Sequence, residues 1–311
     1  MENTNLVSII IPIYNEEIGI SILIKNITDY FSIRKFNFEI IFVNDGSVDL
    51  SLQELQKHAP LKFPSKIINF SKNFGAHAAV RAGFSIAEGD FTTCIPADLQ
   101  ISFDSVEILL FKAYEGYDVV YGVREVKDAG FLGKMFSRFY ARLMQKYVNK
   151  DFPFKGLETL LFNRKVKNAF NQNIESNSSV FLQGLSIGFK KSFVDIKKTE
   201  RTSGKSKWTL SNKIKLLIDS FVAFSYLPIR LVSLVGISFF TIGMIWTIYV
   251  VFRKVLFDDI ASGWPALTSI LLLGFGITNI GLGIVAEYLW RTLDSSRKRP
   301  VFIIDEVIPL N

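Results

Sequence analysis

An α/β fold built on a doubly wound, mostly parallel sheet is what the N-terminal part of this chain predicts, on three observations. Short apolar, β-branched runs of strand length alternate with stretches whose apolar residues recur at helical spacing. Strands alternating with helices are the pattern of stacked βαβ units. Each apolar run also ends in a polar cluster, where open sheets of this kind bind their ligands.

The first run, LVSIIIPI at residues 6 to 13, reads as a strand buried on both faces. The following EEIGISILIKNITDYF carries apolar residues at Ile20, Ile24, Ile27 and Phe31, close to a helical repeat, and FEIIFVNDGS then gives a second strand ending in a polar turn. The alternation continues with a helix over Leu52 to His58, a strand at KIINF, a helix at AHAAVRAGFSIA and a strand at DFTTCI. A helix from Phe103 to Glu115 and a strand at DVVYGV complete it. Lys127 to Lys150 reads as a basic amphipathic helix and Leu210 to Tyr226 as another, both expected on a membrane surface. Residues 151 to 200 give only a weak mixed pattern.

Hydrophobic residues make up 49% of the 311 positions and charged residues 21%, too apolar for an ordinary soluble protein of this size. The excess lies near the C-terminus. Leu231 to Phe252 is 22 residues without a charge and Ile260 to Ala286 is 27, each long enough to cross a hydrocarbon core of roughly 30 Å. Two spans are expected, against the plainer alternative of a helical hairpin buried in a soluble core. Lys213, Lys215 and Arg230 precede the first run, and Arg291, Arg297, Lys298 and Arg299 follow the second, whereas the connection sets Arg253 and Lys254 against Asp258 and Asp259. The positive-inside rule then puts both termini in the cytoplasm. The start MENTNLVSIIIPIYNE has no basic n-region, and its apolar run contains a proline, so no signal peptide is expected there. The single cysteine, Cys94, fits a reducing compartment. A net charge of +7 is explained by anionic lipid headgroups, and a nucleic-acid partner is not expected.

Five polar clusters fall on one edge of the expected sheet: Tyr14-Asn15-Glu16, Asn44 to Ser47, Asn73-Phe74-Gly75, Asp98-Leu99-Gln100 and Gly122-Val123-Arg124. Asp45, in a turn opened by Gly46, is suited to accept hydrogen bonds from a base or ribose, although D-G-S is also a common turn. Glu16 and Glu17 read either as a nucleotide contact or as charges at the start of the next helix. Neither histidine, His58 or His77, has metal-ligand spacing, and a zinc site is not expected. No G-x-G-x-x-G, Walker A or G-x-S-x-G motif stands where it should, which removes the main support for dehydrogenase, P-loop and α/β-hydrolase readings. Asp98 with Gln100 supplies one carboxylate and one amide. That is enough for Mg²⁺ or Mn²⁺ when a nucleotide diphosphate and water fill the other positions. The plainer alternative is an Asp capping the helix from Phe103.

Taken in order, IIIPIYNEE, VNDGSVD, SKNFGAHAAVRAG, PADLQ, YGVR, RTSGKSKW and AEYLWR resemble the motif series of family 2 glycosyltransferases of GT-A fold. More narrowly they resemble the polyisoprenyl-phosphate glycosyltransferases, the group of dolichol-phosphate mannose synthase and bacterial undecaprenyl-phosphate glucosyltransferase. The resemblance covers nearly the whole chain. It implies a hexosyl transfer from a nucleotide-diphosphate sugar to a polyprenyl phosphate, with inversion, for cell-envelope glycan synthesis. A UDP-sugar is favoured as donor, with GDP- and dTDP-sugars as alternatives. By motif position, Pro12, Tyr14, Glu16, Asp45, Ala97 and Asp98 would hold the nucleotide sugar, and Asp98 and Gln100 the metal. Arg124, Lys134, Ser137 and Arg201 match regions that bind donor and acceptor phosphates, and Asp98 and Arg124 would be the catalytic pair. The implied organisation is a cytosolic GT-A domain over 1–209, a juxtamembrane helix over 210–228, a two-helix transmembrane hairpin over 229–290 and a cytosolic tail over 291–311.

Two departures stand out. Where the family commonly has D-x-D-x-Q followed by D-P-P, this chain has Pro96-Ala97-Asp98-Leu99-Gln100 and then Ile101-Ser102-Phe103, so one expected metal ligand is missing. In FPFKGLETLLFNRKV, Glu158 falls near the place of an acidic residue, but the surrounding small-residue pattern is absent. The departures keep a catalytically inactive membrane adaptor as the alternative. A processive polysaccharide synthase fits less well, because no Q-x-x-R-W motif is present. Gly274, Gly276, Gly281 and Gly283 would allow close helix packing, within the chain or between copies of a homo-oligomer.

Overall fold

The computed structural model describes residues 3–34, 36–124, 131–147, 149–173, 179–197, 264–297 and 300–310, with isolated positions between 234 and 256. Two units are present: Met1–Leu216 with Pro300–Asn311, and Leu217–Arg299.

In the first unit the five expected strands are β1 (Asn3–Ile13), β2 (Phe36–Asn44), β3 (Ser65–Phe70), β4 (Phe91–Cys94) and β5 (Val119–Arg124). Between them run α1 (Ile20–Ile33), α2 (Ser51–Lys57), α3 (Ala76–Ile86) and α4 (Asp104–Tyr114), and α5 (Phe131–Tyr147) follows within the expected basic amphipathic stretch. Val7, Ile9, Ile11 and Ile13 of β1 bury against Leu23, Ile27 and Phe31 of α1 and Val106 and Leu109 of α4. Each such side chain contributes about 2 kcal/mol on leaving water. The opposite face holds an aromatic cluster, in which Phe84 of α3 lies edge-on to Phe162 at 4.8 Å.

The weakly patterned stretch after α5 folds into β6 (Leu157–Asn163), α6 (Arg164–Gln172), α7 (Val180–Ser186) and β7 (Lys191–Ile196). α6 starts where Asn163 Oδ1 accepts from the Val166 amide, and it buries Val166 and Phe170 one turn apart. The last strand, β8 (Ile304–Pro309), pairs with β3, in a segment where the sequence reading placed no element. Its IDEVIP sequence exposes most of its side chains and lacks the alternation that marks a half-buried strand.

The sheet order is β7-β5-β6-β4-β1-β2-β3-β8. The pairs β1–β2, β1–β4, β2–β3 and β5–β7 are parallel, while β6 is antiparallel to both neighbours and β8 is antiparallel to β3. Because β6 runs against β1 to β5, its first residues lie at the edge where those strands end. That reversal brings Glu158 to the polar edge.

In the second unit α8 (Trp264–Arg297) is one helix of 34 residues, numbered next in chain order among the described helices. It exposes Leu271, Phe275, Leu282, Leu289 and Trp290, each by half or more. Among the described residues no helix is long and apolar enough to cross a membrane. The described residues thus give no support to the expected two-span hairpin. Most of the first uncharged run lies outside the described residues, and the described positions of α8 do not by themselves make a crossing helix. A Cβ added at Gly274 or Gly283 would meet nothing within 4 Å, so the close packing expected there within the chain is not formed among the described residues. The amphipathic helix expected over Leu210 to Tyr226 also lies outside them.

Candidate active site

The first two strand ends are laced together. β1 leaves the sheet through Tyr14, Asn15 and Glu16, with Asn15 at φ 50°. The Asn15 amide donates to Ser47 Oγ at 3.0 Å, and Asn15 Oδ1 accepts from the Val48 amide at 2.9 Å. The Glu16 amide donates to Ser51 Oγ at 2.8 Å, and that hydroxyl donates to Asp49 Oδ1 at 2.5 Å. Glu17 Oε2 accepts from the Leu50 amide at 3.0 Å, so its charge serves the start of α2, and the first turn of α1 carries no acidic residue.

Asp45 ties in the third strand end. Its side chain is buried, and Oδ1 accepts from the Phe74 amide at 2.7 Å while Oδ2 accepts from the Gly75 amide at 2.9 Å and from Asn73 Nδ2 at 3.1 Å. Burial raises its carboxyl above the usual carboxylate range, and the two amide donors partly offset the rise. Through both oxygens Asp45 holds the 73–75 turn in place. Gly46 makes this approach feasible: it sits at φ +60°, and a Cβ there would lie 2.2 Å from the Lys72 carbonyl carbon.

β4, next to β1 in the sheet, ends as the Ile95 amide donates to the Ile10 carbonyl at 2.9 Å. The chain then turns with Leu99 at φ 55°, and Asp98 Oδ1 accepts from the Gln100 amide at 3.2 Å. Asp98 and Gln100 are half-buried and leave from the same turn. α4 has Phe103 at its N-cap, which makes no side-chain cap bond. Among the described residues no group of three or more His, Cys, Asp or Glu could hold a metal ion. One carboxylate and one amide therefore fit only a cation that keeps water and phosphate ligands, which is the habit of Mg²⁺.

At the end of β5, Arg124 Nε donates to Glu158 Oε1 at 2.5 Å, with the arginine side chain 47% exposed and the glutamate 13%. Pro12 is half-buried on β1 opposite Val43, and Tyr14 and Ala97 are half-buried beside the turns. The backbone of α5 carries positions 134 and 137, but the side chains of Lys134 and Ser137 lie outside the described residues, as does Arg201. The turns at 14–17, 44–51 and 72–75 are thus in direct hydrogen-bond contact. Asp98 and Arg124 stand on the same sheet edge.

Residues 8–194 match the family model described as glycosyl transferase family 2. The chain belongs to that family. This glycosyltransferase is 34% identical over 302 residues to YkcC, an uncharacterised glycosyltransferase of Bacillus subtilis (strain 168), covering 96% of this chain and 93% of the relative. It is 30% identical to a prophage bactoprenol glucosyl transferase homolog of Escherichia coli (strain K12), covering 97% of this chain and 99% of that one. Its identity to an undecaprenyl-phosphate 4-deoxy-4-formamido-L-arabinose transferase of Aeromonas hydrophila is 29%, covering 99% and 96%.

Sequence reasoning gave no role in this glycosyltransferase to Asn73, Ser47 or Ser51, whose side chains bind the turns together. The available signal was the repeated pairing of short polar residues with glycine at successive strand ends. His77, at the start of α3, lies edge-on to Phe181 at 6.1 Å, and burial followed by the charge of Arg81 lowers its pKa to about 4. The imidazole is therefore neutral in the folded protein at pH 7, whereas the unfolded chain takes up the proton near pH 6.5. Stability should be fully present above about pH 6.5 and fall by up to about 3 kcal/mol as the pH drops towards 4. Denaturant titrations across that range check this, and His77→Gln should remove the acid-sensitive part.

Proposed function

We propose that the protein transfers a hexosyl group from a nucleotide-diphosphate sugar to the phosphate of a membrane polyprenyl lipid, with inversion at the anomeric carbon. The observation that carries the reading is the joined set of turns around Asp45, with Asp98 and Arg124 on the same sheet edge. Relatives matching nearly the whole chain, and named for transfer involving undecaprenyl phosphate and bactoprenol, support the acceptor class. The lipid acceptor in turn supports a membrane-associated protein, for which the exposed apolar side chains of α8 offer contact surface.

The nucleotide would sit against the 14–17, 45–51 and 73–75 turns, with Pro12, Tyr14, Glu16 and Ala97 forming its walls. An acceptor oxygen attacks the anomeric carbon from the face opposite the leaving group. The new carbon–oxygen bond forms as the bond to the nucleoside diphosphate breaks, and the electron pair departs with the diphosphate. A phosphate monoester has a second pKa near 6, so the acceptor is largely a dianion at neutral pH and no general base is required. The chain's own task is then alignment and charge stabilisation. Arg124, held in place by Glu158, is placed to receive negative charge on a phosphate. Lys134, Ser137 and Arg201 are assigned to the same phosphates by motif position. Asp98 and Gln100 would hold Mg²⁺ or Mn²⁺, which supplies positive charge to the leaving diphosphate.

The test is incubation of the purified protein with polyprenyl phosphate and UDP-, GDP- and dTDP-sugars, with and without Mg²⁺ or Mn²⁺. A lipid-linked sugar is expected from one donor class, with UDP-sugars first, and a strong gain with metal. No lipid-linked sugar under any condition would overturn the reading.

A further inference from the structure

The end of the chain reaches the candidate donor site by a short aromatic path. β8 pairs with β3 in the register Ile308–Ile67, Val307–Ile68, Glu306–Asn69 and Ile304–Phe70. Just before β8 the Ile303 carbonyl accepts from the Ser71 amide at 3.3 Å, so the added strand follows β3 to the beginning of the 72–75 turn. There the Phe302 ring stacks on Phe70, centroids 5.6 Å apart and planes within 7°. Phe70 in turn meets the Phe74 ring edge-on at 5.6 Å. The amide of Phe74 is the donor that reaches Asp45 Oδ1 at 2.7 Å, and the next amide, of Gly75, reaches Oδ2.

We propose that Phe302 is a positioning residue for the nucleotide-sugar site, acting through Phe70 on the ring of Phe74 and so on the two amides that Asp45 holds. The assignment rests on reading the 45–51 and 73–75 turns as the donor site. Gly75, at φ +97° with open space around its α-carbon, gives this turn little stiffness of its own. The ring of Phe74 is the nearest apolar anchor on its N-terminal side, and Phe70, buried in the sheet, transmits the contact from Phe302. Removing the outer ring leaves Phe70 without its stacking partner, so that Phe70, and with it the edge-on ring of Phe74, can shift and the hydrogen bonds of the turn to Asp45 weaken.

Hydrogen exchange and steady-state kinetics on the full chain test this. Phe302→Ala should speed exchange at the Phe74 and Gly75 amides about tenfold and raise the donor KM about five- to tenfold with kcat within about twofold. Phe302→Tyr, which keeps the ring, should restore both. Ile308→Ala removes a partly buried β8 side chain packed against the core away from the aromatic path. It should lower the thermal midpoint at least as much while leaving exchange at Phe74 and Gly75 and the donor KM unchanged. Unchanged exchange at those two amides in Phe302→Ala, or an equal effect in Ile308→Ala, would overturn the inference whether or not the protein turns over. Absence of turnover in the unaltered chain, with faster exchange in Phe302→Ala, would instead count against the donor-site reading and leave the positioning contact standing.

Discussion

Asp98→Ala is expected to reduce turnover by roughly 10²- to 10³-fold or more, with little change in folding. The side chain is half-buried at a surface turn, and its carboxylate accepts from the Gln100 amide within that turn. On the proposed function, its charge is what the reaction needs. With Pro96 where the family commonly has an aspartate, Asp98 is the one carboxylate in the segment from Pro96 to Gln100 able to neutralise a cation beside the leaving diphosphate. Asp98→Asn separates the two roles, because an asparagine oxygen can still accept from the Gln100 amide. Transfer assays on both variants, with circular dichroism to check folding, decide the matter. A near-normal rate in Asp98→Asn would take Asp98 out of the charge-neutralising role.

Gly46→Ala should be the most damaging single methyl in the catalytic domain. The residue sits at φ +60°, where an alanine costs about 1 to 2 kcal/mol. The added carbon would also lie 2.2 Å from the Lys72 carbonyl carbon and 2.5 Å from the Asn73 nitrogen, both backbone atoms. Relief requires one turn to move off the other, a further 1 to 3 kcal/mol or so. The separation breaks the hydrogen bonds from Asn73, Phe74 and Gly75 to Asp45, so donor binding should be lost even in the fraction that remains folded. Gly75→Ala is the comparison: its backbone is also strained, but nothing lies within 4 Å of the added carbon, and the loss should be smaller. Thermal melts and nucleotide titrations of the two variants read the difference. Equal melting points would mean that the contact between the two turns is not what limits position 46.

Much of this architecture was legible in the residues. β1 to β5 are apolar runs of strand length set between stretches of helical spacing, and burial of their apolar residues is what that alternation reports. β6 was obscured because LETLLFN places four consecutive buried residues behind two partly exposed ones, a run that a short buried helix would share. β8 was obscured for the opposite reason: as an edge strand it carries acidic residues and little burial, so its identity depends on its partner β3, far away in sequence. At the site, the polar strand ends announced which residues would gather, but not what each would do. Asp45 has the sequence context of a ligand-binding carboxylate, and its burial and three donors show that it also organises a neighbouring turn. The partner of Arg124 depended on the reversed direction of β6, which no local pattern encodes.

The pairing of β3 with β8 also fixes the order in which the molecule can be completed. β3 is made early and its outer partner comes roughly 230 residues later, an interval of about ten to fifty seconds at usual rates of synthesis. Throughout that interval the outer edge of β3 has no strand of its own chain to bond, and every residue of α8 is made before β8 is. The catalytic sheet of this glycosyltransferase thus reaches its final width only after the apolar second unit has left the ribosome, so maturation of the enzyme follows production of that unit.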